Sequence, residues 1–143
     1  MLFRSVEDNP ANLEILHEYL EDTDYTLVSA HDGVEALDYL MADPTRYHAV
    51  LLDLMMPRMT GMEVLRQMKR HLVLMHVPVI IQTAASSPDK VSEGLAAGAH
   101  YYLTKPFEKA DLLAILATAI RDRSAYVAVQ EELTNTEIGR AHV

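Results

Sequence analysis

Short apolar runs alternate with stretches of helical periodicity along most of this chain, and that alternation restricts its fold more than any other feature. The runs lie at residues 27–28, 49–52, 79–81 and 101–103, and a first strand is expected at residues 2–6. Each run is typical of a short buried strand. Strands that alternate with helices this regularly predict a parallel sheet covered by helices on both faces.

The stretches between these strands begin with residues that favour helix initiation. Asn9 followed by Pro10 supplies an N-cap and a first-turn proline, which predicts a helix over about residues 10–21. Further helices should begin near Gly33, Gly61, Pro88 and Glu108, and the last should run to about residue 123. Apolar side chains at helical spacing should face the core, namely Leu13, Leu16, Leu20, Leu37, Leu40, Leu65, Met68, Leu72, Val91 and Leu95.

Length and composition set the class of protein. A chain of 143 residues is enough for one domain of ordinary size, and a hydrophobic share of 50% predicts that it folds. No apolar run approaches the roughly 18 residues of a membrane span, and the chain has no cysteine, so we expect a cytoplasmic protein without membrane contact. The net charge of −9 argues against direct nucleic-acid binding and favours cations or basic protein surfaces as partners.

Both ends of the chain depart from the pattern. Residues 2–5 and 137–143 correspond to codon runs of a common sequencing adapter, so we expect only residues 6–136 to be natural sequence. Arg4 would then replace an apolar residue in a central strand and leave the fold marginally stable. We expect one domain over residues 1–122, followed by a helical extension or linker over residues 123–143.

Polar residues occur at the ends of the predicted strands. They are Glu7 and Asp8 after the first, Asp53 in the third, Thr83 after the fourth and Lys105 after the fifth. In an open parallel sheet, ligands bind outside the carboxyl ends of the strands. Crowded carboxylates repel one another and favour a hard divalent cation such as Mg²⁺ between them. Lys105 would neutralise an anion bound beside that metal.

The same residues give the chain its resemblance to a known family, the receiver domain of two-component response regulators. The matching motifs are Glu7-Asp8-Asn9-Pro10, the run LLDLMMPRMTG around Asp53, Thr83-Ala84, and the run YLTKPF at residues 102–107. These four separated motifs, in register with predicted strand ends over about residues 6–121, make the resemblance specific. It implies a flavodoxin-like, doubly wound, five-stranded parallel sheet with strand order 2-1-3-4-5.

The resemblance also implies a role for each of these residues. Asp53 would accept a phosphoryl group, and Glu7, Asp8 and Asp53 would hold Mg²⁺ together with the backbone carbonyl of Met55. Thr83 and Lys105 would bind the phosphoryl oxygens, and Tyr102 occupies the aromatic switch position.

The implied function is a phosphorylation-dependent switch rather than an enzyme with a substrate of its own. The phosphoryl donor would be a sensor histidine kinase or a phosphotransfer protein, and the domain would assist its own phosphorylation and slow autodephosphorylation. Phosphorylation would change the face formed by the fourth helix, fifth strand and fifth helix. That face would control an output partner, a lost C-terminal output domain, or a phosphorylation-dependent homodimer.

Other interpretations of the same residues remain open at this point. A phosphatase of the haloacid dehalogenase type would need a second aspartate two residues after the nucleophile, where this chain has Met55. A nucleotide-binding enzyme would need a glycine-rich phosphate loop, and no such motif follows a strand. A phosphorylation-independent interaction module is the remaining rival. Taken singly, Asp53 and Lys105 would be ordinary surface charges and Tyr102 an ordinary core residue.

Overall fold

The computed structural model of the chain describes residues 2–6, 10–54, 59–84 and 88–122. Within these ranges the strands are β1 (Leu2–Val6), β2 (Thr26–Ala30), β3 (Ala49–Asp53), β4 (Val79–Ala84) and β5 (Tyr101–Lys105). The helices are α1 (Pro10–Leu20), α2 (Gly33–Ala42), α3 (Gly61–Lys69), α4 (Pro88–Ala96) and α5 (residues 109–122), with a short 3-10 helix at Leu74–His76. The predicted extension at residues 123–143 lies outside the described ranges.

The strands form one parallel sheet in the order β2-β1-β3-β4-β5. This is the order that the resemblance to receiver domains implied. β1 is an interior strand, because Arg4 is paired with Val28 on one side and with Val50 on the other. The backbone therefore places Arg4 where a buried residue is expected, and its effect on stability stays a prediction.

Helices cover the sheet on both faces, and the alternation of β3 shows how. Val50 and Leu52 belong to a core shared with α2 and α3, whereas Ala49 and Leu51 belong to a second core shared with α1 and α5. All five residues of β3 are buried. Burial on both faces explains why this strand is an almost continuous apolar run rather than an alternating one.

The end of α3 corrects one prediction about the core. Thr60 caps the helix by accepting a hydrogen bond from the Glu63 amide, and the last helical residue is Lys69. Leu72 was expected to face the core on this helix, but it is 85% exposed. It lies beyond the helix end, where the chain turns and the His71 ring accepts hydrogen bonds from two backbone amides. The helical spacing therefore continues in the sequence after the helix itself has stopped.

The orientation of α4 corrects a second prediction. Leu95 was expected to be inward but is 40% exposed. The buried position next to it is Gly94, where an added Cβ would come within 2.5 Å of Ile81 Cδ1. Because the glycine lets the helix approach the sheet along this line, Leu95 is turned toward the outside.

The described helices are all too short or too polar to cross a bilayer.

Candidate functional site

The carboxyl ends of β3, β4 and β5 bring three of the predicted site residues to one edge of the sheet. Asp53 is the last residue of β3, Thr83 lies in β4 and Lys105 is the last residue of β5. The sequence placed Thr83 and Lys105 after their strands, and this is wrong: both strands extend beyond their apolar runs. The extension occurs because the backbone continues to pair, with Thr83 opposite Thr104 and Ala84 opposite Lys105.

Asp53 and Lys105 are in direct contact. The Lys105 ammonium donates a hydrogen bond to Asp53, with a distance of 3.0 Å between Nζ and Oδ2. The contact is shielded from water, because the Asp53 side chain is 11% exposed and the Lys105 side chain 23% exposed. At this separation, away from bulk water, the opposite charges attract more strongly than a surface pair does.

The backbone of Asp53 is held by the start of α3. The Gly61 amide donates to the Leu54 carbonyl at 3.3 Å. A Cβ added at Gly61 would lie 2.3 Å from the Asp53 carbonyl oxygen, so the residue at this position must be a glycine for the helix to approach the strand so closely. The start of α3 therefore fixes the position of the Asp53 backbone at the carboxyl end of β3.

Thr83 and Tyr102 differ in exposure. Thr83 is 7% exposed at the carboxyl end of β4. Tyr102 lies in the outer strand β5, is paired with Ile81 and is 49% exposed. A half-exposed aromatic side chain on an edge strand has room to change its orientation, which a fully packed core residue does not.

The other predicted metal ligands, Glu7, Asp8 and Met55, lie outside the described residues. In the ranges that are described, no three histidine or carboxylate side chains come together in a way that would hold a metal ion.

The loop after β5 is fastened to α1. The Tyr19 hydroxyl donates a hydrogen bond of 3.1 Å to the Phe107 carbonyl oxygen, and the two rings lie 6.2 Å apart. The Lys105–Pro106 peptide bond is cis. These contacts connect the loop that follows Lys105 to α1, which packs against β3, β4 and β5 in the second core.

Sequence reasoning missed one residue at this edge, Gln82. It is paired with Asp53 across β3 and β4, and it is 1% exposed. Its side-chain nitrogen Nε2 has no hydrogen-bond partner among the described residues. The available signal was a polar amide in the otherwise apolar start of β4, because such a residue in a buried strand needs a partner or a purpose.

A separate group of polar residues lies at the amino-terminal ends of β4 and β5. The His100 ring accepts a hydrogen bond of 3.3 Å at Nδ1 from the Val79 amide. Partial desolvation lowers the pKa of His100 below its ordinary value of 6.5, the Lys69 charge lowers it further, and Asp122 acts in the opposite direction. Asp122 also accepts a hydrogen bond from the Tyr101 hydroxyl, which raises the pKa of Tyr101.

Comparison with known families gives a match over most of the chain. The sequence model described as Response regulator receiver domain matches residues 4–117. Among curated proteins, the response regulator MprA of Mycobacterium avium is 41% identical over 116 residues, which cover 81% of this chain and 49% of that protein. This chain therefore spans about half the length of the curated relatives it matches.

Solved structures show the same similarity in three dimensions. The chemotaxis protein CheY4 of Vibrio cholerae has a TM-score of 0.75 at 30% identity, with 82% of this chain and 97% of that chain covered. The receiver domain of sensor histidine kinase PA1611 from Pseudomonas aeruginosa has a TM-score of 0.76 at 31% identity, with 83% and 96% covered. That receiver domain was solved with a magnesium ion coordinated in its active-site cleft.

Proposed function

This chain belongs to the response regulator receiver family, and from that membership we propose that it is a switch operated by phosphorylation of Asp53. The observation that carries the proposal is the contact of 3.0 Å between Asp53 and Lys105 at the carboxyl edge of the sheet. A carboxylate at the end of a fully buried strand is costly unless it is paired. Here the Lys105 ammonium pairs with the carboxylate, and the same ammonium would neutralise the charge of a phosphoryl group on Asp53.

Phosphoryl transfer requires little covalent chemistry from the protein. An Asp53 carboxylate oxygen forms a bond to phosphorus while the bond between phosphorus and the donor nitrogen breaks, and the donor imidazole leaves. The charge on the transferred group spreads over its oxygens and must be neutralised. Lys105 supplies one positive charge by moving from the Asp53 oxygen to a phosphoryl oxygen, and the Thr83 hydroxyl donates to another.

We propose Glu7, Asp8, Asp53 and the Met55 carbonyl as the ligands of Mg²⁺. β1 ends at Val6, which is paired with Leu52 directly before Asp53, and the two acidic residues follow Val6 in the sequence. Carboxylate and carbonyl oxygens are the donors that Mg²⁺ prefers, and an incomplete protein set leaves positions for water and phosphoryl oxygens. When bound, the ion would neutralise charge on the attacking carboxylate and on the phosphoryl group.

Phosphorylation would act on a surface made of α4, β5 and α5. Attraction of the Thr83 hydroxyl toward a phosphoryl group would vacate space beside β4, into which the half-exposed Tyr102 ring can turn. The result is a change in the populations of two packings of this surface. The same surface would control an output partner, a further domain of a longer protein, or a phosphorylation-dependent homodimer.

The donor in this proposal is a sensor histidine kinase or a phosphotransfer protein, and exchange with such a donor is the reason to expect the chain in the cytoplasm. The domain assists the transfer and a slow autodephosphorylation but turns over no separate substrate. Asp53 takes part in both steps. Its carboxylate receives the phosphoryl group, and the carboxylate is restored when water removes that group.

Labelling with a small phosphodonor tests the proposal. Acetyl phosphate with Mg²⁺ should add one phosphoryl group to the full chain, as measured by intact mass spectrometry, and chelation of Mg²⁺ should prevent this. Asp53→Asn should abolish the label, whereas Asp38→Asn, which changes an exposed carboxylate on α2, should retain it. Undiminished label on Asp53→Asn would end the assignment of this residue. A chain that takes no label under any condition would instead be a phosphorylation-independent interaction module.

A further inference from the structure

The side chain of Lys69, the last residue of α3, is held by a backbone carbonyl group rather than by a carboxylate. Its Nζ donates a hydrogen bond of 3.1 Å to the Met75 carbonyl oxygen in the short 3-10 helix. In the part of the chain that the structure describes, no carboxylate lies within ion-pair distance of this ammonium. Two of the other three lysines, Lys90 and Lys105, each have such a partner.

The hydrocarbon part of Lys69 packs against Gly98, in the loop between α4 and β5. A Cβ added at Gly98 would lie 2.7 Å from Lys69 Cε and 3.1 Å from Cδ, and the φ of 114° at this residue favours glycine. Partial burial of the amine lowers the pKa of Lys69 below its ordinary value of 10.5. The hydrogen bond to Met75 is itself exposed at the surface, so a small reagent can reach the nitrogen.

Two further cations lie beside Lys69. Arg66 is three residues before it on α3 and Arg70 follows the helix end, so both Lys69 and Arg70 neighbour Arg66 on the helix surface. The two arginines are exposed. In a chain with a net charge of −9, this local group of positive charges favours the approach of a small anion.

We propose that Lys69 is a site of acylation by small anionic acyl phosphates. The neutral amine attacks the acyl carbon, a bond forms between Nζ and that carbon, and the bond from the carbon to the phosphate oxygen breaks. Phosphate leaves with the electron pair of that bond, and the extra proton on Nζ passes to water. The amide product keeps one N–H group, which can still donate to the Met75 carbonyl oxygen.

The environments of the other lysines explain why Lys69 is preferred. Acylation of Lys90 or Lys105 would remove the cation of an ion pair with a carboxylate. Lys109 is exposed at the start of α5, but acidic residues lie close to it in the sequence and repel an anionic donor. Acylation of Lys69 breaks no ion pair among the described residues and removes a charge that is costly to desolvate.

The loss of this charge would be felt by His100. Partial desolvation lowers the pKa of His100, the Lys69 charge lowers it further, and Asp122 acts in the opposite direction. Acylated Lys69 carries no charge, so the pKa of His100 should then rise toward its ordinary value of 6.5. The titration of His100, followed by NMR, therefore reports the modification independently of its detection by mass.

Competition between lysines for acetyl phosphate tests the proposal. The full chain is treated while Mg²⁺ is chelated, and acetylated peptides are quantified by mass spectrometry at low conversion. Lys69 should react at least about threefold faster than Lys109, because a lower pKa leaves more of the amine neutral and the arginines attract the donor. Acetylimidazole, an uncharged donor, should also prefer Lys69 in the folded chain. In concentrated urea it should react equally with both lysines, because the contacts with Gly98 and Met75 are lost.

Variants separate the contributions to this rate. Arg66→Gln combined with Arg70→Gln should slow the reaction of Lys69 with acetyl phosphate and leave its reaction with acetylimidazole unchanged. Lys69→Arg retains a positive charge but presents no amine to acetylate, so acetyl phosphate should no longer change the titration of His100. Lys109→Arg is the matched control and should respond as the unchanged chain does.

A Lys69 rate no higher than that of Lys109 in the folded chain would overturn the proposal. So would a preference of acetylimidazole for Lys69 that is equally large in urea, since it would then come from the local sequence and not from the fold. An unchanged acetyl phosphate rate in the arginine variant would rule out the anionic class of donor. The proposal does not rest on the phosphorylation of Asp53, which lies on a different peptide and is suppressed here by chelation of Mg²⁺.

Discussion

Lys105 reaches Asp53 across a strand that belongs to neither of them. Asp53 ends β3 and Lys105 ends β5, while β4 lies between, and the ammonium still comes within 3.0 Å of the carboxylate. In register, Asp53 is opposite Gln82 and Lys105 is opposite Ala84, so the lysine side chain runs diagonally over the end of β4. The contact therefore depends on the relative positions of β3, β4 and β5.

This geometry predicts different effects for two substitutions on metal binding. Asp8→Ala deletes a proposed ligand and should weaken Mg²⁺ binding by at least about tenfold. Lys105→Ala deletes a cation that competes for the Asp53 carboxylate, so this variant should bind Mg²⁺ at least as tightly as the unchanged chain. Isothermal titration calorimetry measures both. Equal losses of affinity in the two variants would show that the proposed roles are confused.

The switch mechanism predicts a response that extends from Asp53 to α5. Beryllofluoride with Mg²⁺ should shift the amide NMR signals of Tyr102 and of residues 91–119. Thr83→Ala should weaken these distant shifts without preventing phosphorylation of Asp53, whereas Thr83→Ser retains the hydroxyl and should preserve them. The coupling available is about 1–3 kcal/mol, which is enough for a several-fold change in population. Shifts confined to the surroundings of Asp53 would contradict the switch.

The contact between α3 and β3 predicts a difference between two glycines. Gly61→Ala would press a methyl group against the Asp53 backbone, which cannot yield without moving the strand end, and should destabilise the chain by about 1–3 kcal/mol. Gly94→Ala meets only the end of the Ile81 side chain, which can shift more easily than backbone can, and it gains helix propensity, so it should destabilise the chain less than Gly61→Ala does. Chemical denaturation compares the two. A smaller loss in Gly61→Ala than in Gly94→Ala would be inconsistent with this contact.

His100 predicts a pH-dependent contribution to stability. Because its pKa in the folded chain lies below the ordinary value of 6.5, the unfolded chain binds more protons between the two values. The contribution is therefore complete above pH 6.5 and is lost as the pH falls through the folded-state pKa. Protonation also removes the Nδ1 acceptor used by the Val79 amide.

Denaturation midpoints at about pH 7.5 and about pH 5 measure this effect. His100→Gln retains an acceptor that does not titrate, so it should lose less stability between the two pH values than the unchanged chain. His31→Gln changes an exposed histidine and should follow the unchanged chain. Identical acid losses in all three proteins would remove His100 as the cause.

The parts of this structure that were predictable from sequence are those set by periodicity. The order of strands and helices followed from the alternation of short apolar runs and helical spacing, and the position of Asp53 followed from its place at the end of one such run. Leu72 and Leu95 were wrongly placed in the core because helical spacing shows neither where a helix ends nor which side a glycine brings against the sheet.

The environment of Gln82 was not predictable for a different reason. Its neighbours come from α1, β3 and the loop after β5, which are far apart in the sequence. A single polar residue in an apolar run indicates that something must satisfy it, but only the packed chain shows whether the protein does so. The sequence predicted that Lys105 and Asp53 lie at the same edge of the sheet. That the Lys105 side chain passes over the end of β4 to reach Asp53 could be seen only from the strand register.

The hydrogen bond between the Gly61 amide and the Leu54 carbonyl closes the base of the segment formed by residues 55–60. The two flanking residues are held together by their own backbone contact, so the length of chain between them is not what keeps Asp53 in place. The end of β3 and the start of α3 are therefore coupled through backbone atoms that no side-chain substitution removes, so a displacement of this end of α3 would also displace Asp53.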